Sequence, residues 1–339
     1  MKPLMKLSIL DQSPGRQGIP QDACIRETLE LARHCEALGY SRYWLSEHHN
    51  TDAVTGSAPE ILAAAIAATT GKIRVGSAGV MLPHYSALKV AEQFRVLEAI
   101  APGRIDLGVG RAPGSDGRTA FALNPNAASA VDLFPAQVRD LIAWSSGSPL
   151  PEGHPFRTIR AIPEGPSAPE IWMLGSSNYG AEVGAFFGLP YCFAYFFTDG
   201  RGAREALDLY RANYRPSQRH PRPYSGIVIA AFAGETSDEV EAHYLARAVT
   251  TAMRDRGQFI AIPSPEAAAA FEMTAAEREK AARKRQTAFY GLPGEVAARI
   301  RAVAEDLQVD EIVIATFSYD PAARRRSYAL LAREFGLLP

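Results

Sequence analysis

The feature that most constrains this chain is a series of eight short apolar runs, nearly all separated by stretches of helical period. The first four lie at Met5 to Leu10, Arg42 to Leu45, Ile73 to Ala78, and from near Ile105 to the edge of Arg111. The others lie at Ile171 to Leu174, Tyr191 to Phe197, Ile227 to Ala233 and Glu311 to Thr316. The runs are continuous rather than alternating, which is the mark of strands covered on both faces in a parallel sheet. Eight β-α units in one chain predict an α/β fold of the (β/α)8 TIM-barrel type. A doubly wound open sheet is the weaker alternative, because no Gly-x-Gly-x-x-Gly follows the first run. The chain has 339 residues and shows neither an internal repeat nor a low-complexity linker, so it reads as one domain over residues 1–339.

Between the runs, Cys24, Thr28, Leu31, Cys35 and Leu38 fall at helical spacing, with Asp22 as a candidate cap and Gly39 as the stop. Pro59 opens an alanine-rich helix to about Thr70, with small residues on nearly every face. Ser86 precedes a helix from Ala87 to Ile100, and another covers roughly Ala130 to Trp144, where Pro135 kinks it or opens its second part. Two excursions follow the fourth and seventh strands. Ser145 to Pro169 has no strong period and room for a short hairpin around His154 to Ile159. Arg254 to Phe289 is irregular and then strongly charged. Arg283-Lys284-Arg285 and Arg324-Arg325-Arg326 read as solvated helix faces.

A net charge of −1 gives no footing for nucleic acid or an anionic membrane surface. No stretch reaches the roughly 18–20 apolar residues of a membrane span, and the amino terminus leads directly into a strand, so a cytoplasmic location is expected. The three cysteines suit neither a disulfide framework nor a metal site.

In a barrel, chemistry sits where strands end at their carboxyl side. Leu107-Gly108-Val109-Gly110-Arg111-Ala112-Pro113-Gly114 ends the fourth strand in glycines and presents one arginine, a planar fork suited to phosphate or to a structural ion pair. Gly175-Ser176-Ser177-Asn178-Tyr179-Gly180 ends the fifth strand and begins a helix. It could bind an anion on free N–H groups, or Ser177 or Asn178 could simply cap the helix. Arg111 on the neighbouring strand favours the phosphate reading. Ala78-Gly79 ends the third strand and leaves room for something flat, or permits a tight bend. Glu47-His48-His49 follows the second strand. Adjacent extended residues point oppositely, which argues against a metal cluster; His48 is a candidate proton-handling group, or the two histidines simply pack and hydrogen-bond at the strand end. A flat ring carrying a phosphate suggests flavin mononucleotide or pyridoxal phosphate. Lysine is scarce at these strand ends, which favours the flavin.

The sequence resembles the bacterial luciferase-like flavin monooxygenases from Leu7 to nearly its end. The resemblance lies in Trp44-Leu45-Ser46-Glu47-His48-His49, Val75 to Pro83, Gly103 to Arg111, Leu174-Gly175-Ser176-Ser177-Asn178-Tyr179 and Asp310-Glu311-Ile312-Val313. It implies a TIM barrel, usually a homodimer, that uses reduced FMN from a separate NAD(P)H-dependent flavin reductase. Oxygen adds to the flavin at C4a, and the peroxide oxygenates a small organic substrate. It also implies that His48 is the catalytic histidine beside the flavin edge and that Ala78-Gly79, often a cis peptide in the family, supports the ring. Arg111, Gly175, Ser176, Ser177 and Tyr179 would hold the phosphate, with no metal. Where the luciferase catalytic subunit has a cysteine and a glutamate, this chain has Gly110 and Gly175, which argues against light emission. Many relatives carry a histidine near Tyr195-Phe196-Phe197, and here there is none. These three aromatics suggest an apolar or ring-shaped substrate. The second and third helices are expected to form the dimer face, and Arg254 to Phe289 a mobile lid. The alternatives are F420-dependent hydride transfer on the same fold and a non-catalytic flavin-binding relative.

Overall fold

The computed structural model describes residues 5–337. The chain opens with strand β1 (Lys6–Asp11), helix α1 (Gln21–Ala37), β2 (Arg42–Leu45), α2 (Pro59–Thr69), β3 (Arg74–Met81), α3 (Ala87–Ile100) and β4 (Ile105–Gly110). The first excursion carries α4 (Gly117–Leu123), α5 (Ala127–Ala130) and α6 (Phe134–Ser146). Then come β5 (Glu170–Gly175), α7 (Asn178–Phe187), β6 (Tyr191–Phe193), the short α8 (Tyr195–Thr198), α9 (Ala203–Asn213) and β7 (Ser225–Ala233). The second excursion holds α10 (Ser237–Asp255), α11 (Pro265–Ala270), α12 (Ala275–Thr287) and β8 (Phe289–Gly291), before α13 (Pro293–Asp306), β9 (Glu311–Ala315) and α14 (Pro321–Glu334).

Eight strands form a closed parallel barrel in the order β1-β2-β3-β4-β5-β6-β7-β9, with β9 returning to β1. This is the (β/α)8 TIM barrel, with excursions after its fourth and seventh strands. β8 is a ninth strand outside the ring. It pairs with the carboxyl end of β7 through Ala231 and Phe289, beyond the stretch of β7 that pairs with β9. The sequence reading missed it because three residues show no period.

Two apolar layers follow from strands covered on both faces. Leu7, Ile9, Tyr43, Val75, Leu107 and Ile312 pack outward against the helices, while Leu10, Trp44, Trp172, Val228 and Val313 fill the barrel. Trp44 meets Trp172 edge-on at 4.9 Å between centroids. The α1 stripe of Cys24, Thr28, Leu31 and Cys35 is buried as its spacing predicts. Gly39 follows with φ +83°, where its Cβ would meet the Leu337 carbonyl at 2.5 Å. Asp22 is not the cap of α1. Pro20 occupies that position, and Asp22 lies in the first turn, paired with Arg26 at 2.7 Å.

The barrel floor is ionic. Arg42 on β2 reaches Asp106 on β4 at 2.9 Å, Glu170 on β5 at 2.7 Å and Glu311 on β9 at 3.0 Å. Trp44 Nε1 donates to Asp106 at 2.9 Å, Ser8 to Glu311, and Tyr224 to Glu311 at 2.8 Å. Arg74 adds a second cation to Asp106 and Glu170.

The Arg324-Arg325-Arg326 run is not uniformly solvated. Arg324 is buried and binds Asp11 at 2.7 Å, because α14 turns that side chain toward the end of β1. No strand forms within 154–159, where the expected hairpin is a series of turns. Pro135 opens α6.

Removing the central cation leaves Asp106 and Glu170 with Arg74 and the buried Glu311 with no cation in contact. Arg42→Met should cost about 3–5 kcal/mol of stability by urea denaturation at neutral pH. A change under about 1 kcal/mol would contradict the role given to Arg42. The Arg42 and Arg74 guanidiniums hold Glu170 down to about 2, against burial, from an ordinary value of 4.5. A depressed folded pKa means the stabilisation is complete above the unfolded value and lost as pH falls through the folded one. Wild-type stability should therefore decline between about pH 4.5 and pH 2, and Glu170→Gln should flatten that decline in a pH series of denaturation curves.

Candidate active site

The second strand sets the polarity of the site. Beyond Leu45, Glu47 and His48 point to opposite sides, as their adjacency predicts. Glu47 is buried. One oxygen accepts from Tyr85 Oη at 2.6 Å and His49 Nε2 at 2.8 Å, and the other accepts from the Met81 N–H at 2.9 Å. It thus ties the end of β2 to the exit of β3. Among the described residues, no group of three or more His, Cys, Asp or Glu is arranged for a metal.

His48 turns into a cavity of about 910 Å³ above the barrel. Its Nδ1 is buried without a hydrogen-bond partner. Burial, with His49 beside it, lowers its pKa to about 4. The imidazole is therefore neutral at physiological pH, with an unengaged nitrogen inside the protein.

β3 and β4 approach each other closely below the mouth. The Ala78–Gly79 peptide is cis, and the β3–β4 register shifts between Ser77 and Val80. A Cβ on Gly79 would lie 2.6 Å from Leu174 Cδ1 and 2.7 Å from the Gly108 carbonyl, so no side chain fits there. Ala78 packs with Leu174, Phe196 and Phe317 in the barrel interior.

Arg111 follows Gly110 at the end of β4 and is exposed. It makes no hydrogen bond or ion pair among the described residues, which removes the structural ion-pair reading. Its guanidinium lies 3.8 Å from the centroid of the Tyr179 ring. Tyr179 is in the first turn of α7, whose leading N–H groups have no intrahelical partner. Ser177 occupies the cap position but makes no side-chain cap bond, and Asn178 is engaged with Glu205 at 2.8 Å. Ser176 and Ser177 are exposed beside Gly175. The structure therefore gathers Arg111, Gly175, Ser176, Ser177 and Tyr179 at one corner. A free guanidinium, two free hydroxyls and a helix amino terminus form an anion-binding set. The loop carrying Arg111 is fastened to the His48 loop by the His49 N–H, which donates to the Gly114 carbonyl at 3.2 Å, and to the turn after β3 by His84 Nε2, which donates to the Pro113 carbonyl at 2.8 Å.

The family model described as luciferase-like monooxygenase matches residues 5–311. The chain belongs to the luciferase-like monooxygenases. The N-acetyl-S-alkylcysteine monooxygenase of Bacillus subtilis is 34% identical over 333 residues, covering 97% of this chain and 98% of that one. The solved structure of apo-MsnO8 superposes with a TM-score of 0.89 at 34% identity, covering 99% of both chains. Two more distant barrels share the fold alone. One is the oxygenating constituent of 3,6-diketocamphane monooxygenase from Pseudomonas putida, in complex with FMN, at 18% identity, TM-score 0.72 and coverage of 98% and 97%. The other is an F420-dependent secondary alcohol dehydrogenase at 13% identity, TM-score 0.62 and coverage of 99% of both.

The sixth barrel strand ends at Phe193, so Tyr195, Phe196 and Phe197 do not form a strand wall. They lie in α8, where Phe196 is buried and packs against Phe197 at 4.1 Å and Phe317 at 6.3 Å. Sequence reasoning missed the part of the cavity wall formed by α10, namely Arg247, Thr250, Thr251 and Arg254. Their spacing of three, four and seven was the available signal.

The neutral state of the half-buried His48 can be measured directly. In a 15N-histidine NMR titration, its ring should titrate with a midpoint near pH 4, well below the ordinary histidine range. A midpoint between about 6 and 7 would show that the imidazole is solvated and remove the basis for its role.

Proposed function

We propose that the protein is an FMN-dependent monooxygenase that takes reduced FMN from a separate NAD(P)H-dependent flavin reductase and oxygenates a small organic substrate. The observation that carries this reading is the unengaged Arg111–Tyr179 pair at the start of α7, joined through one fastened loop to a buried, unpartnered His48 nitrogen. The residues fit the cofactor. Arg111, the Ser176 and Ser177 hydroxyls and the first N–H groups of α7 would bind the phosphate, with Gly175 leaving the backbone accessible. Ala78-Gly79 offers a surface without large side chains to one side of a flat ring. The bound cofactor would supply the electrons and, at C4a, the carbon where dioxygen is activated. His48, neutral at working pH, would accept or return a proton at the ring edge through the ring nitrogen that faces the cavity rather than through the buried Nδ1. The cavity walls would keep bulk water from the reacting atoms.

A homodimer accords with the exposed apolar side chains on the helices expected to form its face. Ile61 on α2 is 66% exposed, and Val96 and Ile100 on α3 are exposed as well. No helix among the described residues is long and apolar enough to cross a membrane, and a cytoplasmic setting would supply the reductase. The segment proposed as a lid holds α11 and α12. α12 buries none of its residues and is tied to the body by surface pairs such as Lys280–Asp255 at 2.6 Å and Lys284–Asp199 at 2.6 Å.

Anaerobic equilibrium titration with reduced FMN, and in parallel with F420, tests the reading. Reduced FMN should bind and F420 should not. Tight F420 binding without FMN binding would favour hydride transfer on the same fold. Arg111→Gln should weaken reduced FMN roughly 10- to 100-fold, while His48→Ala should leave affinity within about two-fold. Equal loss in both variants would contradict the separate roles. Ile61→Arg should shift the protein to monomer in sedimentation velocity at micromolar concentration. A wild type that is already monomeric would end the dimer proposal.

A further inference from the structure

The wall contributed by α10 has a chemistry that flavin binding does not require. Arg247, Thr250, Thr251 and Arg254 lie at i, i+3, i+4 and i+7 on one helix, so they form a single stripe, and all four line the His48 cavity. Neither guanidinium makes a hydrogen bond or ion pair among the described residues. Both are only partly exposed. Arg247 sits 5.3 Å from the Phe317 ring centroid, and Phe317 packs on Phe196 inside the same cavity. An anion-binding stripe therefore stands directly beside an aromatic surface.

Two carboxylates also line this cavity, and neither neutralises the stripe. Asp116 caps α4, accepting from the Arg118 and Thr119 N–H groups and from Thr119 Oγ1. Asp52 is exposed and accepts from Gln21 at 3.4 Å. No ion pair joins either to Arg247 or Arg254.

We propose that the substrate is a small carboxylate. Arg247 and Arg254 hold its anionic end, and its apolar body lies against Phe196, Phe197 and Phe317. The proposal rests on the reading of this cavity as the oxygenation site. A carboxylate fits better than a phosphate group. The stripe offers two planar forks and the Thr251 hydroxyl, since Thr250 Oγ1 donates to the Arg247 carbonyl at 2.9 Å, with no glycine-rich turn or cluster of free backbone N–H groups of the kind that cradles phosphate. Arg254 also lies in the last turn of α10, where the negative end of the helix dipole disfavours a dianion more than a monoanion. The phosphate-adapted donors stand with Arg111 at the ends of β4 and β5, outside the residues that line this cavity. The division assigns two anions to two places: cofactor phosphate at the β4 and β5 ends, substrate carboxylate on α10.

The test uses the full chain and four probes in ligand-detected NMR titrations: hexanoate, 3-phenylpropionate and their two uncharged amides. The acids should bind at least about ten-fold more tightly than the amides, and the R247Q/R254Q double variant should lose that preference while keeping its affinity for reduced FMN within about two-fold. If the double variant does not fold, R247Q and R254Q alone should each lower the preference about three-fold. Equal binding of acid and amide, or a preference that survives the substitutions, would overturn the proposal. So would loss of reduced FMN binding in the variants, since the arginines would then be holding the flavin phosphate. A wild type that prefers the acids but does not bind reduced FMN would leave the carboxylate site standing and overturn the flavin reading instead.

Discussion

Arg42 is one guanidinium shared among three strands. It stands in the barrel floor with Asp106, Glu170 and Glu311 around it, each on a different strand and each within hydrogen-bonding distance. A buried cation surrounded by carboxylates tolerates little displacement, because any strand that slips leaves a charge without its counterion. Register in a parallel barrel decides which side chains face inward, and a slip of one residue reverses the faces of a whole strand. Fixing Arg42 against Asp106 therefore also fixes which residues reach the mouth four or more positions later. His48 lies six residues beyond Arg42, and Arg111 five beyond Asp106. The ionic floor gives no chemistry itself, but the site above it depends on the alignment it enforces.

Above the floor, rigidity is supplied by groups that do not face the cavity. Glu47 collects three donors from the ends of β2 and β3 and so holds the turn from which His48 projects. Asp11 does the same at the end of β1, binding Arg324, Tyr43, Thr28 and the Ser13 N–H. The Arg111 guanidinium and the Ser177 hydroxyl, both exposed, and the guanidiniums of Arg247 and Arg254 on the cavity wall are left without a hydrogen bond or ion pair among the described residues.

The barrel was readable because its strands are continuous apolar runs at regular intervals, and the helix punctuation agreed with them. The anion corner was readable because Arg111 and the Gly175 to Tyr179 loop end neighbouring strands, so topology alone brings them together. What stayed hidden depended on contacts between distant segments. Arg324 looked like part of a solvated run because nothing local reveals that Asp11, 313 residues earlier, needs a counterion. The aromatic trio was assigned to a strand because Tyr195 to Phe197 continues an apolar run, whereas the chain turns into α8 after Phe193. The α10 stripe had the right spacing, but a period shows which residues share a face and not what that face meets. Only the closing of α10 over the barrel makes Arg247 and Arg254 part of a cavity.

The central claim is that this site holds a reduced flavin where oxygen reacts under the protein's control. Stopped-flow mixing of the anaerobic protein–reduced FMN complex with oxygenated buffer tests it most directly. The account predicts that recovery of the oxidised-flavin absorbance lags clearly behind that of free reduced FMN, because the bound ring is shielded from water and held beside His48. Recovery at the free-flavin rate, under conditions where the titration shows the flavin to be bound, would contradict it.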